Sequence, residues 1–406
     1  MNQTLKNIIV AMVHGSGSLL RPLLRGAGYI RREPPPAAAV RTILVIALHH
    51  IGDILFVSPV IRALRYQYPD ARLCMWVKSR TREIAARIPG IDEVIVFDGV
   101  CTDWTREKFG SRRERRIFVE QLKDYRLDLL VDCTGVLGTL RIGMASQAAF
   151  RIGFNSQGLG FLFDREPVGK QGRHLVRRYA SVVETIGVCP RDESLSLDVS
   201  KNDITQARRF LETGGVFRGE RFVCIHPAAG WRTKCWPPER FALLADELIS
   251  RCGVKVVLCG GGEDLHTAHT IRELMRGHPV NAVGTLNLGT AAALIKECAL
   301  FVGHDSGPAY MADAVGVPVI ILFGPTNPAF SAPRSARARV IWKQGPCSAR
   351  QGMQHCHNQA AYPCKNIVCM RAISVEEVFV TAVQLLGPER ANPYTPKSES
   401  GEIRDY

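Results

Sequence analysis

From Arg41 onward the chain alternates between short apolar runs and longer segments in which apolar residues return every three or four positions. TILVIALHH (42–50) reads as a buried strand, and DILFVSPVIRALRYQY (53–68) has the spacing of a helix with one apolar face. ARLCMWV (71–77) and EVIVFD (93–98) are the next strands. A basic helix around 106–123 then leads into the strand LDLLVDC (127–133). A second series begins near 220: the strand RFVCIHP, the helix PPERFALLADELISRC, the strand VKVVLCGG, the helix HTAHTIRELMR, a helix over 290–297, the strand ALFVGHD, a further helix and the strand VPVIILFG. Such alternation predicts βαβ units, hence parallel sheets with helices on both faces.

The fold class expected is therefore α/β, with two doubly wound domains facing a cleft, the first over 41–205 and the second over 206–388. KNDITQARRFLETGG (201–215) lies in the segment that joins them, near 200–218. Residues 1–40 form a leader in which Lys6, Arg21, Arg25, Arg31 and Arg32 face a single acid, Glu33. A basic, broken amphipathic stretch of this kind suits an anionic membrane surface; a flexible leader with incidental charge is the plainer alternative. The polar segment 389–406 is expected to be a disordered tail.

At 406 residues there is room for two cores. The net charge of +14 points to an anionic partner, whether nucleic acid, an acidic membrane or a phosphorylated substrate. Aromatics make up only 7% of the chain and do not interleave with basic runs, which argues against nucleic acid. Most of the 13 cysteines stand singly in apolar strands (Cys74, Cys133, Cys224, Cys259), as expected of free thiols in a reducing cytoplasm. No run approaches the roughly 18 apolar residues of a membrane span, and IIVAMV, followed by HGSGS, does not read as a signal peptide.

Candidate chemistry collects at strand ends. After ALFVGHD, Asp305-Ser306-Gly307-Pro308 breaks the strand, and Pro308 suits the first position of a helix. The amides of Ser306 and Gly307 would then open a helix N-terminus suited to a diphosphate, although an ordinary βα turn reads the same way. Gly52-Asp53 ends the first strand; Asp53 is a candidate general base or simply a helix cap. After His226-Pro227, the small Ala229 and Gly230 leave room for a ligand at the backbone. Lys234 is a charge able to neutralise a phosphate there, or else a solvated loop lysine beside a packed Trp236. Gly260-Gly261-Gly262-Glu263 matches neither the dinucleotide fingerprint nor the P-loop, and Glu263 could accept from a ribose or begin a helix. Cys347, Cys356, Cys364 and Cys369, with His355 and His357 among them, could staple a loop around zinc or iron, but lack the close C-x₂-C pairs of common sites.

Together HHIGD (49–53), LDLLVDCTGVLGTLRIGMASQAAFRIGF (127–154), HPAAGWRTKCWPPE (226–239), VVLCGGGED (256–264), GHDSGPAYMADAVGVP (303–318) and CMRAISVEEV (369–378) resemble the heptosyltransferases of glycosyltransferase family 9, over roughly residues 41–388. The resemblance implies a GT-B fold of two Rossmann-like domains, acceptor-side then nucleotide-sugar-binding. It implies an inverting transfer from ADP-heptose to a lipopolysaccharide-core or related lipid-linked acceptor, with no catalytic metal. Asp53 would be the base in the GD motif, Lys234 the phosphate-binding lysine, and Asp305, Ser306 and Gly307 the turn that holds the diphosphate. Glu263 would sit at the ribose, and Gly52, Ala229 and Gly230 would line the donor. It also implies a cytoplasmic enzyme, peripheral on the inner membrane; the Arg112–Arg116 cluster would suit an anionic lipid acceptor, although a solvated helix face is the plainer reading. GGGE stands where the family often has GGPGE, and one branch of the family, which modifies proteins, binds iron through its C-terminal cysteines. Another nucleotide sugar, a protein acceptor and a non-catalytic nucleotide-sugar-binding scaffold remain the alternatives.

Overall fold

A computed structural model of the chain describes residues 33–102, 110–154, 159–167, 174–344, 364 and 366–387. Its first sheet is built from β1 (Thr42–Ile46), β2 (Arg72–Val77), β3 (Glu93–Val96), β4 (Leu129–Asp132) and β5 (Phe150–Gly153), in the order β3-β2-β1-β4-β5. The second holds β6 (Phe222–Ile225), β7 (Lys255–Leu258), β8 (Val280–Asn281), β9 (Leu300–His304), β10 (Val319–Phe323) and β11 (Ala338–Trp342), in the order β11-β10-β9-β6-β7-β8. Every pairing is parallel. Central strands are buried on both faces, which is why they read as unbroken apolar runs.

The order of strands reverses between β1 and β4 in one sheet and between β6 and β9 in the other. Ligands of open α/β sheets bind beyond the carboxyl ends of the strands at such switch points. The helix Ile51–Gln67 follows β1, and Gly307–Ala314 follows β9; the two pack on one another across the domain boundary within one continuous apolar core. Separate clusters cover the outer faces of the two sheets. Inside Ile51–Gln67, Pro59 lacks the N–H that would bond the Leu55 carbonyl. The Ser58 hydroxyl takes that carbonyl instead, at 2.7 Å.

Two elements differ from expectation. The basic helix begins at Arg112 and ends at Asp124, because Ser111 and Glu114 form a reciprocal capping box that fixes its start; 103–109 lie outside the described residues. The joining segment is itself a helix, Lys201–Thr213, which buries Ala207 and Leu211 and packs on Leu288–Glu297. A polar clasp reinforces this boundary. Glu83 accepts from the amides of Gly289 (2.7 Å) and Leu288 (3.3 Å), at the N-terminus of a helix from the other half of the chain. Beside it, Arg87 donates to both Asp203 oxygens at 3.0 and 3.1 Å.

Candidate functional site

The expected residues at both switch points meet where the two helix N-termini converge. Glycine permits the approach. A Cβ on Gly52 would stand 3.0 Å from the Tyr310 ring, and one on Gly307 would stand 3.0 Å from the Ile51 Cβ. Phe56 of the first helix packs edge-on against Tyr310, with ring centroids 4.7 Å apart.

Asp53 lies in the first turn of Ile51–Gln67, where the helix dipole favours a carboxylate. Its Oδ2 accepts from the His50 amide at 3.1 Å, and its Oδ1 from the Tyr179 hydroxyl at 3.0 Å. One oxygen thus caps its own helix, and the other bonds a tyrosine of the helix Leu175–Glu184 in the same half of the chain. Burial, and then the Asp53 charge, push the Tyr179 hydroxyl well above the usual tyrosine range, so it remains a donor. No ion pair holds Asp53 among the described residues.

Across the boundary, Lys234 ends the short 3-10 turn Arg232–Lys234 and spans to the strand end of β9. Its Nζ donates to Asp305 Oδ2 at 2.8 Å and to the Asp305 carbonyl at 3.2 Å, and lies 4.7 Å from the centre of the Trp231 ring. The Asp305 side chain, 9% exposed, also accepts from the Tyr310 and Ser331 hydroxyls. Burial alone would raise its carboxyl pKa. The Lys234 ammonium, and then the Tyr310 hydroxyl, outweigh that and hold it below the usual range. Ser306 is the N-cap of Gly307–Ala314, and Pro308 occupies the second helical position rather than the first, where its missing N–H still costs nothing. Ala229 is half-buried and Gly230 exposed with open space around it.

Glu263 is exposed, whereas its neighbour Asp264 is buried and turned inward. Trp236 is buried, too; its amide donates to His304 Nε2 at 2.8 Å, and His304 Nδ1 faces the Ala228 carbonyl at 3.1 Å. Burial lowers the His304 pKa to about 3, so this imidazole stays neutral and fastens the Lys234 loop to β9. Sequence reasoning did not single out Tyr179, Tyr310, His226 or Asp264. Each stands in a stretch whose pattern alone reads as core or turn. Cys369 is buried and Cys364 half-buried, while Cys347 and Cys356 lie outside the described residues. Among the described residues no three metal-ligating side chains come together, and no helix is long and apolar enough to cross a membrane.

Comparison with known proteins agrees with this architecture. The chain is 29% identical to lipopolysaccharide heptosyltransferase 3 of Escherichia coli over 300 residues, spanning 72% of this chain and 86% of that one. A family 9 glycosyltransferase structure from Veillonella parvula superposes with a TM-score of 0.71 at 23% identity, over 88% of this chain and 99% of that one. E. coli ADP-heptose LPS heptosyltransferase II superposes at 0.69 and 22% identity, over 85% and 98%. Two parallel-sheet α/β domains in this arrangement are the GT-B fold. The sequence model of glycosyltransferase family 9 (heptosyltransferase) matches residues 115–361, and the chain belongs to that family of enzymes.

Proposed function

We propose that this glycosyltransferase moves heptose from ADP-heptose to a sugar of the lipopolysaccharide core, with inversion at the anomeric carbon. The carrying observation is that Asp53, which has no ion pair among the described residues, lies in the first turn of Ile51–Gln67, and that this helix packs on Gly307–Ala314, the helix that follows the Lys234–Asp305 pair. The activities by which the E. coli relatives are named support the choice of sugar and acceptor. In this reading, the 41–205 half presents the acceptor and the 206–388 half holds the donor.

Asp53 takes the proton of the acceptor hydroxyl as that oxygen attacks the anomeric carbon from the side opposite the diphosphate. The C–O bond to ADP breaks as the new glycosidic bond forms. Negative charge grows on the leaving diphosphate, where Lys234 and the amides of Ser306 and Gly307 stabilise it without rearranging. Ala229 and Gly230 would let the phosphates approach the backbone. Glu263 would reach the ribose from the exposed edge. The enzyme is peripheral on the inner membrane in this scheme, and the exposed Arg112, Arg113 and Arg116 would meet the anionic groups of a lipid-linked acceptor.

The test is transfer from ADP-heptose to purified heptose-deficient core lipid, with Asp53→Asn beside the wild type. Heptose-dependent product that disappears in the variant, while ADP still binds, supports the reading. Transfer from UDP- or GDP-sugars in preference to ADP-heptose would overturn the donor, and full activity in Asp53→Asn would overturn the base.

A further inference from the structure

One side chain touches both sides of the site. Tyr310 lies in Gly307–Ala314, the helix that opens at the donor turn, and is 3% exposed. Its ring reaches the other half of the chain. It meets Phe56 edge-on, with centroids 4.7 Å apart and planes at 61°, and its Cδ2 would stand 3.0 Å from a Cβ on Gly52. Gly52 and Phe56 lie on either side of Asp53 along Ile51–Gln67, so the ring abuts the turn that carries the base. Alanine is ordinarily preferred to glycine inside a helix. At position 52 the Tyr310 ring would have to yield to admit it.

The hydroxyl serves the other side. It donates to Asp305 Oδ1, which also accepts from Ser331 at 3.2 Å. The second oxygen, Oδ2, accepts from Lys234 at 2.8 Å. A carboxylate is planar, so two hydroxyls on one oxygen fix the direction in which the other meets the ammonium. Burial, and then the Asp305 charge, push the phenol well above the usual tyrosine range, so it stays a donor. Asp53 pushes it the same way, which puts one phenol within electrostatic reach of both aspartates.

We propose that Tyr310 is a positioning residue for the transfer. Its ring sets the spacing between the base helix and the donor turn, and its hydroxyl holds the Asp305 carboxylate in the orientation that aims Lys234 at the leaving diphosphate. This rests on the roles assigned above to Asp53 and Lys234. A tyrosine that only fills core needs its ring and not its oxygen. Here the two parts of the side chain have separable effects: the hydroxyl acts through Lys234 on the donor, and the ring acts through Ile51–Gln67 on the base. Transfer rates depend steeply on such spacing.

The test combines calorimetric titration with ADP and transfer kinetics from ADP-heptose. Tyr310→Phe keeps the ring, and Ser331 still donates to Asp305 Oδ1. It should raise the ADP Kd by about fivefold. In a Lys234→Ala background the same change should alter Kd by less than about twofold, because the group through which it acts is gone. Tyr310→Leu should lower kcat by about tenfold relative to Tyr310→Phe, with no additional loss of ADP affinity. Should that variant fail to fold, Gly52→Ala, whose Cβ presses the ring from the other side, should lower kcat several-fold. Wild-type ADP affinity in Tyr310→Phe, a loss that recurs in full without Lys234, or an unchanged kcat in the ring variant overturns the proposal. If the wild-type protein binds no ADP, the donor reading falls instead.

Discussion

Two aspartates stand at the switch points of the two sheets, Asp53 in the helix after β1 and Asp305 just after β9, and their surroundings are opposite. Asp53 is held by an amide and a phenol, both neutral, and no cation lies against it among the described residues. Asp305 is enclosed by Lys234 and two hydroxyls, and is kept ionised by them. A carboxylate bound by neutral donors retains lone pairs for an incoming proton. One locked to an ammonium is an anchor that orients the lysine. The same residue type at two switch points thus meets opposite electrostatics through its partners.

Four substitutions would break or sharpen this contrast. The largest effect is expected at Asp53: Asp53→Asn should lower kcat by about 10³-fold while ADP affinity, read by calorimetry, stays near wild type. Lys234→Ala should do the converse, weakening donor binding and slowing transfer by about 10²-fold. It should also cost about 3 kcal/mol in urea unfolding, because it strands the buried Asp305 charge. The pH dependence of that cost has a definite sign. Asp305 has a lowered pKa when folded, so its contribution is complete above the unfolded value of about 3.9 and is lost as pH falls through the folded one. Without Lys234, protonation relieves the stranded charge, so the stability gap between variant and wild type should narrow in acid. A gap that widens instead would show that Asp305 is not ionised.

Tyr179→Phe should come next, at about tenfold in kcat, since it removes one hydrogen bond to a charged group. Asp53 loses a donor that orients its carboxylate, so the loss should fall on kcat with donor KM unchanged. An unaltered kcat would mean that the phenol serves packing alone. The smallest effect is expected from Gly307→Ala, whose Cβ must push the Ile51 Cβ back by a few tenths of an ångström. A several-fold loss of kcat with intact ADP binding would place the harm at the junction of the helices.

The frame of the molecule was legible because its central strands are buried on both sides, as Thr42–Ile46 and Leu300–His304 illustrate. Edges were not. Val280–Asn281 is two residues long, and Ala338–Trp342 is largely exposed and carries Arg339, so neither leaves an apolar run. Lys201–Thr213 has a polar majority that resembles a linker, and only packing on Leu288–Glu297 reveals its apolar stripe. Asp53, Lys234 and Asp305 stood out because glycines and a proline mark the strand ends that carry them. Tyr179 and Tyr310 did not, since a lone tyrosine on an amphipathic helix reads as core and its hydrogen-bond partner is chosen by another element. Glu263 and Asp264 are adjacent acids, and the 3-10 turn Gly262–Asp264 decides which one faces inward.

The carboxylate of Glu83, seated on the first amides of Leu288–Glu297, makes one half of the chain a lender to the other. The second half cut free at the joining helix would keep the Asn287 cap but lose the carboxylate on the first two amides of that helix, and a chimera that borrowed its first half from a relative would suffer the same loss unless an acid came with it at that place. Recombination between members of the family is therefore constrained at the boundary between the halves, by a cap that the second half needs the first to complete.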